Sequence, residues 1–128
     1  MRTIPAALAL FLFACNYSVQ DIASVPDNPT YTHDVRYLLA DHCLVCHSSP
    51  PNRGAPATFR LDVYADPKVS GAGLEASVIL ADVKTATGAT SPRMPPNVPS
   101  NEHVGPNGVA MLQKWWDNRD TTTDLPAE

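Results

Sequence analysis

The sequence DHCLVCH (residues 41–47) decides how the rest of this chain is interpreted. It places two cysteines three residues apart, and a histidine directly follows the second. This spacing is compatible with a covalent haem attachment site, with half of a zinc site, or with a redox-active dithiol. The sequence around the motif distinguishes among these three hypotheses.

An amphipathic helix is predicted from Thr32, a suitable N-cap, to about Cys43. Four residues share one helical face at i, i+3, i+4 and i+7: Val35, Leu38, Leu39 and His42. The motif would therefore lie at the C-terminal end of a helix. A thioredoxin-like dithiol opens a helix instead, since the helix N-terminus lowers the pKa of the thiol. The position of the motif disfavours the dithiol.

A structural zinc site needs a second pair of ligands at compact spacing. The remaining histidines are His33, His42 and His103, and neither a cysteine nor an H-x₃₋₅-H pair follows the motif. A Cys₂His₂ site would have to recruit distant residues. The sequence therefore disfavours zinc without excluding it.

Covalent haem attachment fits the motif best, because C-x-x-C-H is the c-type attachment signal. Cys43 and Cys46 lie about one helical turn apart, so both thiols can form thioethers with the vinyl groups on one edge of a porphyrin. His47, one residue later, can then reach the iron. A permanently attached haem also suits a chain of 128 residues, which can build only one modest core.

The first residues indicate export. Arg2 precedes an apolar run, Ile4 to Phe13, that is too short to span a bilayer as a mature helix. The run ends in LFAC (residues 12–15), which resembles a bacterial lipobox, where the cysteine is acylated and becomes the mature N-terminus. We predict a lipoprotein-type signal peptide at 1–14, lipidation of Cys15 and a flexible tether over 15–30. The alternative is an ordinary secretory signal. Both place the protein outside the cytoplasm, and lipidation anchors it on the periplasmic or cell-surface side of a bacterial membrane.

A second axial ligand is expected, because haem proteins that only transfer electrons tend to fill both axial positions. Met94 lies in SPRMPP (residues 91–96), where the prolines stiffen the loop and Pro95 favours an extended conformation. Such a loop loses little entropy when it holds a thioether against a metal. Met111 is the other candidate, but it lies in a predicted helix where a core role is expected. We predict His47 and Met94 as the axial ligands.

The other segments indicate a small helical domain rich in loops. Alternating apolar residues predict a short strand or extended segment over Phe59–Tyr64. Further helices are predicted over Leu74–Val83 and Gly108–Arg119, and 120–128 is predicted to be a polar, frayed tail. A net charge of −4 argues against nucleic-acid binding.

These segments together resemble class I c-type cytochromes. The order CLVCH, FRLDVYAD, SVILADV, RMPP and MLQKWW is similar to that of planctomycete-type cytochrome c domains, over roughly residues 31–119. The resemblance implies an all-α, cytochrome c-like fold of about three helices around one covalent haem. It also implies that the first and last helices pack together, with Leu38 and Leu39 against Leu112 and Trp115 or Trp116. Asn107-Gly108, near the start of the last helix, departs from the pattern.

The expected function is one-electron transfer between redox partner proteins, as a carrier rather than an enzyme. The alternative is a haem peroxidase or a gas-binding haem sensor, which needs an open or labile sixth position. Arg53, Arg60 and Arg93 are candidates to pair with the anionic haem propionates, and Arg93 is favoured because it neighbours Met94.

Overall fold

The computed structural model describes residues 21–84 and 104–128. Over these ranges the chain forms three α-helices and no β-strand: α1 is Arg36–His42, α2 is Ala76–Val83 and α3 is Gly105–Asp117. A π-helical turn, Tyr31–Val35, leads directly into α1. The prediction of a mainly helical chain is confirmed for this part. No helix in it is long and apolar enough to cross a membrane.

The first helical segment begins earlier than predicted, because Thr30 rather than Thr32 caps it. The Thr30 hydroxyl accepts a hydrogen bond from the N–H of His33 at 3.2 Å, and the Asp34 carboxylate accepts one from the N–H of Thr30 at 2.8 Å. This reciprocal pair satisfies two donors at the helix start. The segment ends where the sequence predicted, with Cys43 as the C-cap of α1.

The first and last helical segments run antiparallel across the core. The ring of Tyr31 lies 6.4 Å from that of Trp115, near the end of α3. Leu38 follows Tyr31 by seven residues, and Gly108 precedes Trp115 by seven residues. These two residues are also in contact, since a Cβ atom added to Gly108 would lie 3.1 Å from Leu38 Cδ1. Leu38, Leu39, Leu112 and Trp115 share one buried cluster, as the resemblance implied, whereas Trp116 is only partly buried.

The second helix begins at Ala76 rather than at Leu74, after a tight turn. Gly71 lies against the carbonyl group of Tyr64, so closely that a Cβ would not fit. Leu74 remains outside the helix and is 52% exposed. From Ala76 onward α2 packs against α3 and buries one face, formed by Ala76, Ile79, Leu80 and Val83.

The short strand or extended segment predicted over Phe59–Tyr64 is not observed. Phe59 makes an isolated bridge with Ser70, and the backbone bends from Leu61 onward. The N–H of Leu61 donates to the carbonyl of His47 at 2.8 Å instead of to a neighbouring strand. Leu61 is buried but Phe59 is only half-buried. The alternation therefore reflects side chains that anchor an irregular loop.

The last helix starts three residues before its predicted start. Pro106 occupies the first turn, where its missing N–H has no cost. Gly105 adopts a left-handed φ of +70°, and a Cβ there would collide with the carboxylate of Asp21. Asp21 accepts hydrogen bonds from the N–H groups of Asn107 (3.1 Å) and Gly108 (3.2 Å). Asn107-Gly108, which departs from the cytochrome pattern, thus lies inside the helix and binds the N-terminal segment.

Two segments predicted to be flexible pack against the core. Residues 21–30 belong to the predicted tether 15–30, but Asp21 binds α3 and Pro29 is fully buried. The predicted frayed tail also folds back: Trp115 Nε1 donates to the carbonyl of Ala127 at 2.7 Å, and Pro126 is fully buried. Both expectations came from polar, proline-containing composition, which does not reveal contacts with distant residues.

Candidate functional site

The residues of the CxxCH motif lie on one helical turn that continues from α1. The N–H of Cys43 donates to the carbonyl of Leu39 at 2.8 Å. The N–H groups of Cys46 and His47 both donate to the carbonyl of Cys43, at 3.1 and 3.0 Å. These local hydrogen bonds hold the two thiols and the imidazole together on a single turn, as the spacing of the motif predicted.

The loop that follows the motif supports His47 from two sides. The carbonyl of His47 accepts the N–H of Leu61, which is 3% exposed and forms part of the core. The ring of Phe59 meets the imidazole edge-on, with centroids 5.1 Å apart and an interplanar angle of 67°. Backbone and ring are therefore both fixed by residues that lie outside the motif.

The imidazole of His47 offers a buried nitrogen atom suited to a metal. His47 is 9% exposed, and its Nδ1 atom has no hydrogen-bond partner within the part of the chain that the structure describes. A buried polar atom left without a partner costs about 1–3 kcal/mol. Because such an atom gains from coordination, the side chain fits the role of an axial ligand to a haem iron.

Neither motif cysteine is in a disulfide: Cys43 and Cys46 are both free thiols. Burial, with a smaller contribution from Cys46, raises the pKa of the Cys43 thiol to about 12. The negative end of the α1 dipole acts the same way. A thiolate is thus disfavoured at Cys43, contrary to what a redox dithiol requires.

The zinc hypothesis requires further ligands near the motif. Over residues 21–84 and 104–128, no group of three or more His, Cys, Asp and Glu side chains is placed to hold a metal ion. His33 is exposed on the first helical segment, and His42 is half-buried beside the motif. His103 lies outside the described residues.

The predicted distal ligand Met94 and its neighbour Arg93 lie outside the described residues, as does Cys15, so these assignments stay predictions. Met111, the competing methionine, is 3% exposed in the core. This burial matches the core role expected for it.

The two remaining arginine candidates lie in the described part. Arg60 Nε donates to the carboxylate of Asp62 at 3.0 Å, so Arg60 already has an anionic partner. Arg53 is exposed in a turn with a φ of 51°. Neither position adds support for a propionate contact.

The residues that support His47 were not predicted from the sequence. Phe59 and Leu61 were singled out only as alternating apolar positions, and nothing in that pattern pointed to the histidine. The signal that could have found them is their place shortly after the motif, within reach of a loop that folds back on it.

Comparisons with known proteins give no match: no family model, no curated protein and no solved structure is similar to this chain at a significant level. A functional proposal therefore depends on the motif and on its geometry.

Proposed function

We propose that this protein carries one c-type haem and transfers single electrons. Cys43 and Cys46 would attach the haem, and His47 would be the proximal ligand of its iron. The arrangement at the end of α1 carries the proposal: two free thiols and a buried imidazole on one turn. The bound haem would supply reversible one-electron chemistry at its iron.

The residues of the chain would bind and orient the cofactor. The turn presents both thiols together, while Phe59 and the backbone of Leu61 keep the imidazole of His47 in one orientation. Burial of His47 keeps water from competing for the ring. Val45, between the cysteines, is 63% exposed, so the motif lies at the surface, within reach of redox partner proteins.

Met94 completes the proposed site as the distal ligand. A carrier needs both axial positions filled, whereas a peroxidase or gas sensor needs one open or labile. Because Met111 is buried in the core, its position supports Met94 as the distal ligand. Arg93 is proposed to contact a haem propionate. These two assignments rest on the sequence SPRMPP.

The proposal includes a location. Cys15, at the end of the apolar run, would carry lipid and hold the haem domain on the outer side of a bacterial membrane. The wild-type protein should then fractionate with membranes and be released only by detergent. Cys15→Ala should be soluble or unprocessed. A wild-type N-terminus downstream of Cys15, without acyl mass, would indicate an ordinary secretory signal instead.

The test of haem attachment uses the three cysteines of the chain. The protein is expressed with export in a bacterium that attaches haem, and we expect its intact mass to exceed that of the polypeptide by one haem that resists acid-acetone extraction. Cys43→Ala and Cys46→Ala should each lose most of the bound haem. Cys15→Ala is the matched control when fused to a cleavable secretory signal, and should keep it. Stoichiometric zinc without haem in the wild type would overturn the proposal.

A further inference from the structure

The N-terminal segment is fastened to the N-terminal end of α3. Both carboxylate oxygens of Asp21 accept the N–H of Asn107 at 3.1 Å, and one accepts the N–H of Gly108 at 3.2 Å. The side-chain amide of Asn107 donates to the carbonyl of Ile22 at 2.9 Å. The negative carboxylate also lies at the positive end of the helix dipole. We call this set of contacts the Asp21 clasp.

The clasp lies at the same end of the domain as the CxxCH motif. Because α1 and α3 run antiparallel, the C-terminal end of α1 and the N-terminal end of α3 are on the same side. One cavity of about 240 Å³ is lined from both sides, by Ile22 of the N-terminal segment and by Tyr37 and Asp41 of α1. Asp41 precedes the first motif cysteine by two residues.

The clasp shortens the free tether that lipidation of Cys15 would leave. Residues 15–30 in full would span up to about 50 Å, at roughly 3.3–3.6 Å per residue. With Asp21 held on α3, only six Cα–Cα steps remain, and these reach about 20 Å at most in any conformation. A domain of this size is about 30 Å across. A tether that leaves from one end lets the opposite end face the membrane only when it is almost fully extended along the domain, and its conformational entropy opposes that extension.

We propose that the membrane surface faces the end of the domain that carries the Asp21 clasp and the motif turn. This inference rests on the proposed lipidation of Cys15. The opposite end, where α3 ends and the tail turns at Thr121, lies about 18 Å further along the α3 axis, from a rise of 1.5 Å per residue. The motif is thereby held close to the lipid, which suits redox partners that lie in or on the same membrane.

The test compares lipid contact at the two ends of the full-length, haem-loaded protein in bacterial membranes. A photoreactive benzoylphenylalanine replaces Asp41 at the motif end or Thr121 at the far end, both of which are exposed. After illumination, lipid adducts are counted by mass. We expect several times more adduct at position 41 than at position 121.

Two changes test whether the clasp causes this difference. A Gly-Ser spacer of about twenty residues, inserted before Asp21, adds an r.m.s. length of about 25 Å and should bring the two adduct yields close together. Asp21→Ala should reduce the difference. Asp27→Ala is the matched control: it removes a contact of the same segment, an exposed ion pair with Lys114 at 2.9 Å, and should leave the difference unchanged.

A cooperative urea-unfolding transition of each haem-loaded variant shows that it is folded. Equal adducts at both ends of a membrane-bound wild type would overturn the orientation but not the lipid anchor. A difference that persists with the spacer would overturn the role of the clasp. A wild type found outside the membrane fraction would overturn the anchor and the inference together.

Discussion

Gly108→Ala should destabilise the protein, although helix propensity predicts the reverse. Alanine inside a helix is favoured over glycine by about 0.8–1 kcal/mol. At position 108, however, the new Cβ would lie 2.7 Å from Val104 Cγ1 and 3.1 Å from Leu38 Cδ1. Both neighbours are buried, and Val104, 2% exposed, has a stiff β-branched side chain. Overpacking of this kind costs about 1–3 kcal/mol, so we expect a net loss of about 1 kcal/mol.

Urea unfolding of the haem-loaded protein measures this effect. With a slope of about 1–3 kcal/mol per molar urea, the midpoint should fall by about 0.5 M. The control is the opposite substitution at Ala110, an exposed position of the same helix. Ala110→Gly should lower the free energy of unfolding by about 1 kcal/mol through helix propensity alone. In a Val104→Ala background the closest contact is gone, so Gly108→Ala should become neutral or stabilising. A raised midpoint for Gly108→Ala in the wild-type background would refute the packing explanation.

Four further predictions concern the site and its supports. Met94→Ala should abolish the weak near-infrared band of thioether-bound ferric iron, admit carbon monoxide to the ferrous form and lower the potential; an unchanged band would assign the distal role elsewhere. Met111→Ala should keep that band and lose about 2–5 kcal/mol in urea unfolding, because the side chain is 3% exposed. Phe59→Leu should retain haem but shift the potential, since it removes a ring contact worth about 0.5–1.5 kcal/mol; an unchanged potential would mean that the ring does not orient the imidazole. Deletion of 125–128 frees the indole N–H of Trp115 and three other donors, the Tyr64 hydroxyl and the N–H groups of Tyr31 and Asp120, at a cost of about 2–4 kcal/mol. Loss of the exposed last residue alone should cost little.

The elements that could be predicted from the sequence are those determined by neighbouring residues. The apolar face formed by Val35, Leu38 and Leu39 indicated a helix that ends at the motif, and α1 ends there. The turn of the motif also depends on hydrogen bonds between residues three to five apart, so the spacing of Cys43, Cys46 and His47 was sufficient to predict it. In both cases the pattern and the contacts involve the same few residues.

The elements that could not be predicted depend on residues far apart in the chain. Asp21 binds residues more than eighty positions away, and its own neighbourhood has the composition of a loop. The tail binds the core through the backbone carbonyl groups of Pro126 and Ala127. Every residue type carries such a group, so the residue types do not reveal these contacts. A strand likewise needs a partner, and the alternation from Phe59 to Val63 contains no information about whether one is available.

Haem attachment and the reduction potential of the proposed site should depend on different contacts, the first on the motif turn and the second on the loop that follows it. The turn that presents Cys43 and Cys46 needs only its own hydrogen bonds and the end of α1, so attachment of haem should tolerate changes elsewhere in the domain. The burial and orientation of His47 instead depend on Phe59 and Leu61, which arrive from the following loop. Burial and orientation of a ligand are among the factors that set the reduction potential of an iron. Substitutions in the motif should therefore change how much haem is bound, whereas substitutions in the loop should change the potential at which the bound haem accepts an electron.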